Sequence, residues 1–325
     1  MTRLSDSFQR PLNYLRISVT DRCNLRCTYC MPSEGISLMP HEDILSYEEI
    51  CIVARAAAEL GIVKVRLTGG EPLVRAELTN LVAMLARIEG IDDISLTTNA
   101  VLLQCCADEL KSAGLRRVNV SLDSLRSDRF QRITRVGNLD DVLGGIEAAR
   151  QAGLDPVKTN TVVVRGMNDD EVLDFARLTI EDEWHVRFIE YMPFSNGKKM
   201  DHLLVPVSEM KQRIETLSKL EPSLSSGGGP ARYFRLPGAR GTIGFISPVS
   251  EHFCRSCNRL RLTADGKLRP CLFSDTEIDL REPLRQGAAA DDIKRLIQEA
   301  ASCKPEGHKL RAGITCERFM VQIGG

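Results

Sequence analysis

Residues 15–30 carry the sequence Leu-Arg-Ile-Ser-Val-Thr-Asp-Arg-Cys-Asn-Leu-Arg-Cys-Thr-Tyr-Cys, in which an alternating run leads directly into three cysteines. The alternation predicts a β-strand with one apolar and one polar face. Cys23, Cys27 and Cys30 offer three soft thiolate ligands, one fewer than a closed structural zinc site uses. A [4Fe–4S] cluster held by three cysteines has one iron free to bind a small molecule, so we favour such a cluster here.

The composition is that of a globular protein with nearly balanced charge. The chain has 325 residues, of which 43% are hydrophobic and 27% charged, with a formal net charge of -1. These values are typical of a globular protein with a sizeable core, and they give no reason to expect nucleic acid or an anionic membrane as a partner. No signal peptide and no transmembrane run is apparent, so the eleven cysteines predict metal ligation in a cytoplasmic protein.

Strand and helix patterns alternate as far as about residue 220. Alternating runs near 65–68, 94–99, 118–123, 157–164 and 186–192 predict further strands with a polar face. A helix over 46–60 begins with a possible capping box of Ser46 and Glu49 and ends at Gly61. This order predicts βαβ units and a parallel sheet.

The polar strand faces favour a barrel over an open doubly wound sheet, whose strands would be apolar on both faces. With about six strands, we predict a partial (β/α)6 TIM-like barrel, an α/β fold with a polar interior. The alternative is an antiparallel sheet with one exposed face, which the intervening helices make less favourable.

We expect two parts, a core barrel over residues 1–220 and a smaller C-terminal region over 221–325. The glycine- and serine-rich stretch 221–230 predicts a linker or loop. A helix is predicted from Asp291 to Cys303, and the chain ends in Gly324-Gly325. The other cysteines show no ligand spacing and are interpreted as ordinary residues; they are Cys51, Cys105, Cys106, Cys303 and Cys316.

A second three-cysteine group, Cys254, Cys257 and Cys271, lies in the C-terminal region. Zinc is an alternative at both groups, with His41 or His252 as the fourth ligand. Two groups of three thiolates nevertheless suggest two [4Fe–4S] clusters, each with an open iron, one for a cofactor and one for a substrate.

Five cations accompany these cysteines. They lie on polar strand faces or directly after the second cysteine group: Arg16, Arg66, Lys158, Arg259 and Arg261. Such a set suits a polyphosphate, because the guanidinium fork matches phosphate oxygens. No P-loop motif is present, so nucleotide binding would depend on these side chains.

Two motifs together resemble the radical S-adenosylmethionine (SAM) superfamily. They are the Cys-x3-Cys-x2-Cys spacing with Tyr29 before the last cysteine, and Gly69-Gly-Glu-Pro72 after the second strand. The resemblance implies that SAM chelates the open iron of the first cluster and is cleaved to a 5′-deoxyadenosyl radical. It implies SAM contacts from Tyr29, Gly70, Ser121 and Met192.

Further runs resemble, nearly end to end, a two-cluster branch of that superfamily. They are Arg16–Asn24, Arg66–Pro72, Leu96–Asn99, Asn119–Asp123, Arg187–Met192, Gly229–Arg232 and Cys254–Arg261. The resemblance implies a lyase that cyclises GTP to (8S)-3′,8-cyclo-7,8-dihydroguanosine 5′-triphosphate, early in molybdenum cofactor (molybdopterin) biosynthesis. It implies GTP contacts from Arg16, Arg66, Thr97, Lys158, Arg259, Leu260 and Arg261, with the second cluster holding the guanine.

The same resemblance implies a homodimer, an electron donor that the sequence does not identify, and transfer of the product to cyclic pyranopterin monophosphate synthase. It also implies that the Gly-Gly tail reaches the active site. Ala100 departs from the glycine common at this position in the branch, which predicts an altered local turn. The alternatives are a two-cluster radical enzyme acting on a peptide or cofactor, and an Fe–S or zinc binding module without catalysis.

Overall fold

The computed structural model describes residues 3–192, 201–223, 229–308 and 318–324. Its strands are β1 Tyr14–Ser18, β2 Lys64–Thr68, β3 Asp93–Thr98, β4 Arg117–Ser121, β5 Val157–Val163, β6 His185–Glu190, β7 Glu221–Pro222, β8 Arg232–Arg235, β9 Thr242–Ile246, β10 Arg259–Leu262, β11 Lys267–Arg269 and β12 Ile278–Asp279. Its α-helices are α1 Tyr47–Glu59, α2 Leu78–Ala86, α3 Ala107–Ser112, α4 Ser127–Thr134, α5 Leu139–Gln151, α6 Val172–Glu181, α7 Val207–Ile214, α8 Arg281–Arg285, α9 Ala290–Ser302 and α10 Met320–Ile323.

Strands β1 to β6 lie side by side in chain order, and every neighbouring pair is parallel. Their apolar side chains, such as Ile17, Leu67 and Leu96, are fully buried in one continuous core with the outer helices. Their polar side chains face the interior. The predicted partial barrel of α/β type is therefore confirmed, and the antiparallel alternative is wrong.

The C-terminal region extends this sheet at both edges, which the local sequence pattern did not predict. Strand β10 pairs in parallel with β1, and β9 pairs in parallel with β6. The full order is β12-β11-β10-β1-β2-β3-β4-β5-β6-β9-β8-β7, so eight consecutive strands are parallel and the outermost pairs are antiparallel. The prediction of about six strands missed β9 and β10 because their partners lie far away in the chain.

The helix boundaries follow the capping signals. The Ser46 hydroxyl accepts a hydrogen bond from the Glu49 amide at 3.2 Å, and the Glu49 carboxylate accepts one from the Ser46 amide at 2.7 Å, which confirms the capping box of α1. The helix predicted over 291–303 is α9. The predicted linker over 221–230 includes β7, and its residues 224–228 lie outside the described residues. In the described chain, no helix is long and apolar enough to cross a membrane.

Candidate active site

One cavity of about 290 Å³ lies at the carboxyl ends of the barrel strands, where TIM-like barrels place their sites. It is lined by both cysteine groups, by all four residues predicted to contact SAM, and by most of those predicted to contact GTP. The lining residues from these predictions are Cys23, Cys27, Cys30, Cys254, Cys257, Cys271, Tyr29, Gly70, Ser121, Met192, Arg16, Arg66, Thr97, Arg259 and Arg261.

Two residues of the predicted GTP site do not line this cavity. Lys158 is 5% exposed, and its ammonium group donates a hydrogen bond to the Tyr233 hydroxyl at 3.2 Å. Leu260 is 1% exposed, and its side chain is part of the hydrophobic core. For both residues, a contact with GTP stays a prediction.

The first cysteine group occupies the loop that follows β1. Burial raises the pKa of Cys23 to about 11 and that of Cys30 to about 12, so these thiols need nearby positive charge to ionise. The His41 ring lies 2.6 Å from the Arg22 guanidinium. Among the described residues, no three His, Cys, Asp or Glu side chains are grouped so as to hold one metal ion. Since a cubane binds one thiolate at each of several irons, the three thiols fit a cluster better than a single zinc ion.

A close backbone approach joins this loop to the Gly-Gly-Glu-Pro turn after β2. The Gly70 amide donates to the Thr20 carbonyl, and the Glu71 amide donates to the Arg22 carbonyl, each at 2.7 Å. A Cβ atom on Gly70 would lie 2.3 Å from the Arg22 carbonyl oxygen. Only glycine fits here without moving the loop that carries Cys23.

Replacing Gly70 by alanine is therefore expected to displace the cysteine loop. We expect a loss of about 2 kcal/mol in unfolding free energy, typical of overpacking, and a loss of SAM binding. Chemical denaturation and calorimetry of SAM binding measure the two effects. Gly229→Ala is the matched control for stability, since a Cβ there meets no atom within 4 Å. Equal stability of the two variants would contradict the argument.

Glu71 is a site residue that the sequence analysis quoted within its motif but gave no role of its own. Its buried carboxylate accepts hydrogen bonds from the Thr98 hydroxyl at 2.7 Å and from the Asn99 amide at 2.6 Å. The Asn99 side chain in turn donates to Asn24 at 2.7 Å, next to Cys23. Glu71 thus links the ends of β2 and β3 to the cysteine loop.

The carboxyl of Glu71 makes stability depend on pH. Burial raises its pKa from 4.5 to about 7, although hydrogen bonds from Asn99, Leu73 and Thr98 oppose the shift. Between these two values the folded chain holds more protons than the unfolded chain, so the stability that Glu71 contributes falls as the pH rises from about 5 to 8.

The unfolding free energy of the unchanged chain should fall between about pH 5 and pH 8. In Glu71→Gln, we expect this fall to be smaller than in the unchanged chain by up to about 3 kcal/mol. Denaturant titrations of the cluster-free chain at pH 5 and pH 8 measure it, and Glu215→Gln on the surface is the control. The same decrease in both variants would refute the role of Glu71.

Tyr29, which is predicted to contact SAM, is held in place by a second buried carboxylate, that of Asp123. The Tyr29 hydroxyl donates to Asp123 at 2.5 Å, and the other Asp123 oxygen accepts from the Val162 amide at 2.8 Å. Burial raises the pKa of Asp123 to about 6, against the lowering by these two hydrogen bonds. Asp123 therefore orients the aromatic ring beside the cysteines.

Ala100 directly follows Asn99 at the end of β3. It is fully buried and has a φ of 64°. An L residue pays about 1–2 kcal/mol for this left-handed conformation. A glycine would avoid that cost but lose a buried methyl group, worth about 0.8 kcal/mol, and gain entropy in the unfolded chain. The terms nearly cancel, which explains how alanine is accommodated here.

Three arginines form a row across neighbouring strands. Arg16 of β1 is paired with Arg66 of β2 on one side and with Arg261 of β10 on the other. Burial, followed by the charges of Arg261 and Arg66, lowers the pKa of Arg16. Burial likewise lowers the pKa of Arg261 to about 9. Three positive charges in register on adjacent strands of one cavity repel one another, so they indicate a strongly anionic ligand.

Polar atoms without a protein partner surround this row. Within the described residues, four buried and unpaired polar atoms belong to residues that line the cavity: Tyr14 Oη, Thr97 Oγ1, Asn160 Oδ1 and Arg187 Nε. Buried polar atoms are normally hydrogen-bonded, so four in one cavity indicate a polar ligand. The sequence analysis placed Asn160 and Arg187 on strands but did not assign Tyr14, Asn160 or Arg187 to the site, although the polar face of their strands was a signal for all three.

The second cysteine group lines the same cavity as the first. Cys254, Cys257 and Cys271 are half-buried free thiols around one wall of the cavity. The nearest predicted zinc ligand, His252, contacts the Pro248 carbonyl at 3.0 Å and the His308 ring at 3.1 Å instead. As at the first group, three thiols at one cavity fit a [4Fe–4S] cluster with an open iron.

The remaining cysteines of the described chain are also free thiols. Cys51 is buried in the core, Cys106 is half-buried, and Cys105 and Cys303 are exposed, which agrees with their interpretation as ordinary residues. Cys316 and Gly325 lie outside the described residues.

Fold and site together define a radical SAM protein. The model of the Radical SAM superfamily matches residues 17–179, and that of Molybdenum Cofactor Synthesis C matches residues 184–310. The chain is 54% identical to a GTP 3′,8-cyclase of Moorella thermoacetica, over 99% of this chain and 100% of that one. It is 55% identical to a GTP 3′,8-cyclase of Pelotomaculum thermopropionicum over the same shares. The chain belongs to the GTP 3′,8-cyclase family.

Solved structures agree with the fold. The structure of Streptococcus suis SuiB bound to S-adenosylmethionine superposes with a TM-score of 0.59 at 14% identity, covering 87% of this chain and 68% of that one. At this identity the likeness concerns the fold alone. The family relationship supports the cyclase interpretation, and it does not support the peptide-modifying or non-catalytic alternatives.

Proposed function

We propose that the chain converts GTP into (8S)-3′,8-cyclo-7,8-dihydroguanosine 5′-triphosphate in molybdenum cofactor biosynthesis. The observation that carries the proposal is that one cavity is lined by both groups of three cysteines and by the row of arginines. One group would serve the cofactor, the other the substrate, and the arginines the triphosphate. The names of the relatives supply GTP as the substrate.

Each cysteine group would hold one [4Fe–4S] cluster, with Cys23, Cys27 and Cys30 at the first. When bound, this cluster and SAM supply the one-electron chemistry that removes a hydrogen atom from the ribose. Tyr29, Gly70, Ser121 and Met192 would contact SAM; all four line the same cavity as the first cysteine group, which supports this.

The cationic residues would bind and orient the triphosphate. Arg16, Arg66 and Arg261 present three charges from adjacent strands, so phosphate oxygens would replace the repulsion among them by charge-assisted hydrogen bonds. Arg259 extends the row toward the second cysteine group, and its guanidinium lies 3.8 Å from the Cys257 sulfur. A substrate bound along this row would have its base toward the cysteines that would hold the second cluster. Thr97 would add a hydroxyl from β3.

The C-terminal tail is expected to complete the site. The Gly324 carbonyl accepts a hydrogen bond from Arg261 at 3.2 Å, and a Cβ on Gly324 would lie 2.8 Å from Thr68 Cγ2. Deleting Gly324 and Gly325 should slow cyclisation at least tenfold by freeing Arg261, while both clusters stay in place. Product assays and iron analysis measure this. Unchanged turnover would show that the tail only packs against the barrel.

Anaerobic reconstitution tests the proposed function. Roughly eight irons per chain are expected if both sites hold cubanes. With reductant, SAM and GTP, formation of 5′-deoxyadenosine should depend on GTP, and the cyclised nucleotide should appear in equal amount. SAM cleavage that ignores GTP, or a chain without iron, would overturn the proposal.

We further propose that the chain consists of a core barrel over residues 1–220 and a C-terminal region over 221–325 that carries the auxiliary cluster. The protein would act as a homodimer in the cytoplasm, receive electrons from a separate donor, and pass its product to cyclic pyranopterin monophosphate synthase. Eleven cysteines support a reducing compartment.

A further inference from the structure

Lys304 is a buried lysine on the wall of the cavity beside the second cysteine group. It follows α9 and is 3% exposed. Its ammonium group donates to the Arg259 carbonyl at 2.8 Å and to the Pro270 carbonyl at 2.6 Å. Because Pro270 directly precedes Cys271, one side chain joins the start of β10 to the segment that holds the third cysteine.

The charge of Lys304 lies beside the cysteine sulfurs. Lys304 lines the same cavity as Cys254, Cys257 and Cys271. Both carbonyls that it binds are close to a cysteine in the chain, since Arg259 is two residues after Cys257 and Pro270 directly precedes Cys271. The Cys257 and Cys271 sulfurs are accordingly the charged groups that act most strongly on Lys304.

The two hydrogen bonds to backbone carbonyls do not by themselves explain why this residue is a lysine. A neutral amide could donate to both carbonyls, whereas a buried ammonium costs several kcal/mol unless anions lie nearby. The groups that can supply negative charge beside it are the Cys257 and Cys271 sulfurs, which are thiolates when they ligate iron. The positive charge is therefore matched to the metal-loaded state of the site.

We propose that Lys304 is a positioning residue that raises the reduction potential of the auxiliary cluster. It would hold the Arg259 and Cys271 segments in register, and its positive charge would stabilise the reduced form of the cluster. A positive charge beside the sulfurs favours the more negative, reduced state and so raises the reduction potential. The proposal rests on the proposed function, because it requires a cluster at this site.

The test uses the full chain in which Cys23, Cys27 and Cys30 are all replaced by alanine, so that every iron and every spectral signal belongs to the auxiliary site. In this background, Lys304→Gln removes the charge but can still donate to the carbonyls, and Lys304→Arg retains the charge. Lys294→Gln is the matched control, since it removes a lysine charge at the surface of α9, where Lys294 pairs with Glu59 and Asp291. Redox titration followed by electron paramagnetic resonance gives the midpoint potential.

We expect Lys304→Gln to retain iron and to shift the midpoint potential to a more negative value, while Lys304→Arg and Lys294→Gln stay near the unchanged background. Identical potentials in all four proteins would overturn the proposal and leave Lys304 a structural tie. Loss of iron in Lys304→Gln with retention in Lys304→Arg would support the role of the charge. If the background itself binds no cluster, the proposed function fails at this site, an outcome distinct from equal potentials.

Discussion

Replacing Cys27 by serine is expected to abolish reductive cleavage of SAM, a loss of at least a thousandfold. Cys27 lies in the loop after β1 and is enclosed by Cys23, Cys30 and Asp123, whose charges, after burial, raise its pKa well above the ordinary value. A buried serine would not replace a thiolate as a soft ligand of iron, so the first cluster should be lost. Iron should fall from roughly eight to roughly four per chain, with the auxiliary cluster still visible by electron paramagnetic resonance.

The counterpart is Cys257→Ser at the second group. It should leave the spectrum of the first cluster intact while weakening GTP binding, which separates the tasks of the two sites. Cys105→Ser is the control for the substitution itself, since Cys105 is exposed and does not line the cavity. If Cys257→Ser instead unfolds the chain, as followed by circular dichroism, the second site is structural and zinc becomes the better interpretation there.

Replacing Arg16 by methionine is expected to weaken GTP binding about 10- to 100-fold. Arg16 is the middle member of the arginine row, paired on either side with Arg66 and Arg261. A charge-assisted hydrogen bond to phosphate contributes about 1.5–3 kcal/mol, which corresponds to that loss in affinity. Methionine retains an unbranched apolar stem but removes the charge and all donors.

Equilibrium binding of GTP to the cluster-loaded chain measures this effect, with guanosine as a second ligand. Arg55→Met, on the exposed face of α1, is the matched control. Since the lost contact is to phosphate, guanosine should bind Arg16→Met as it binds the unchanged chain. An equal loss of affinity for both ligands would place Arg16 at the nucleoside instead.

Much of the barrel could be predicted because its signals are local. Alternation in 15–20 and 65–68 marks strands with a polar face, and the pair Ser46 and Glu49 fixes the start of α1. The two cysteine groups could be recognised from spacing alone. Their convergence on one cavity needed the structure, although the shared strand faces made it a reasonable prediction.

The remaining features had no local signal. The pairing of β1 with β10 joins segments at opposite ends of the chain, and four-residue runs such as Arg259–Leu262 have no helical or linker context to identify a partner. Lys304 is a single lysine after a helix, and only its contacts with the Arg259 and Pro270 carbonyls reveal its place. The site roles of Glu71 and Tyr14 likewise depend on what surrounds them after folding.

The continuous sheet has a consequence for how this chain must be made. During synthesis β1 emerges early, but its outer edge is covered by β10, near the other end of the chain, and β6 similarly waits for β9. Until then the nascent barrel has two open edges, which are templates for aggregation. A fragment ending at residue 220 would retain both edges permanently. Expression of the fragment is therefore expected to give insoluble protein, so the core barrel is not separable from the C-terminal region that covers its edges.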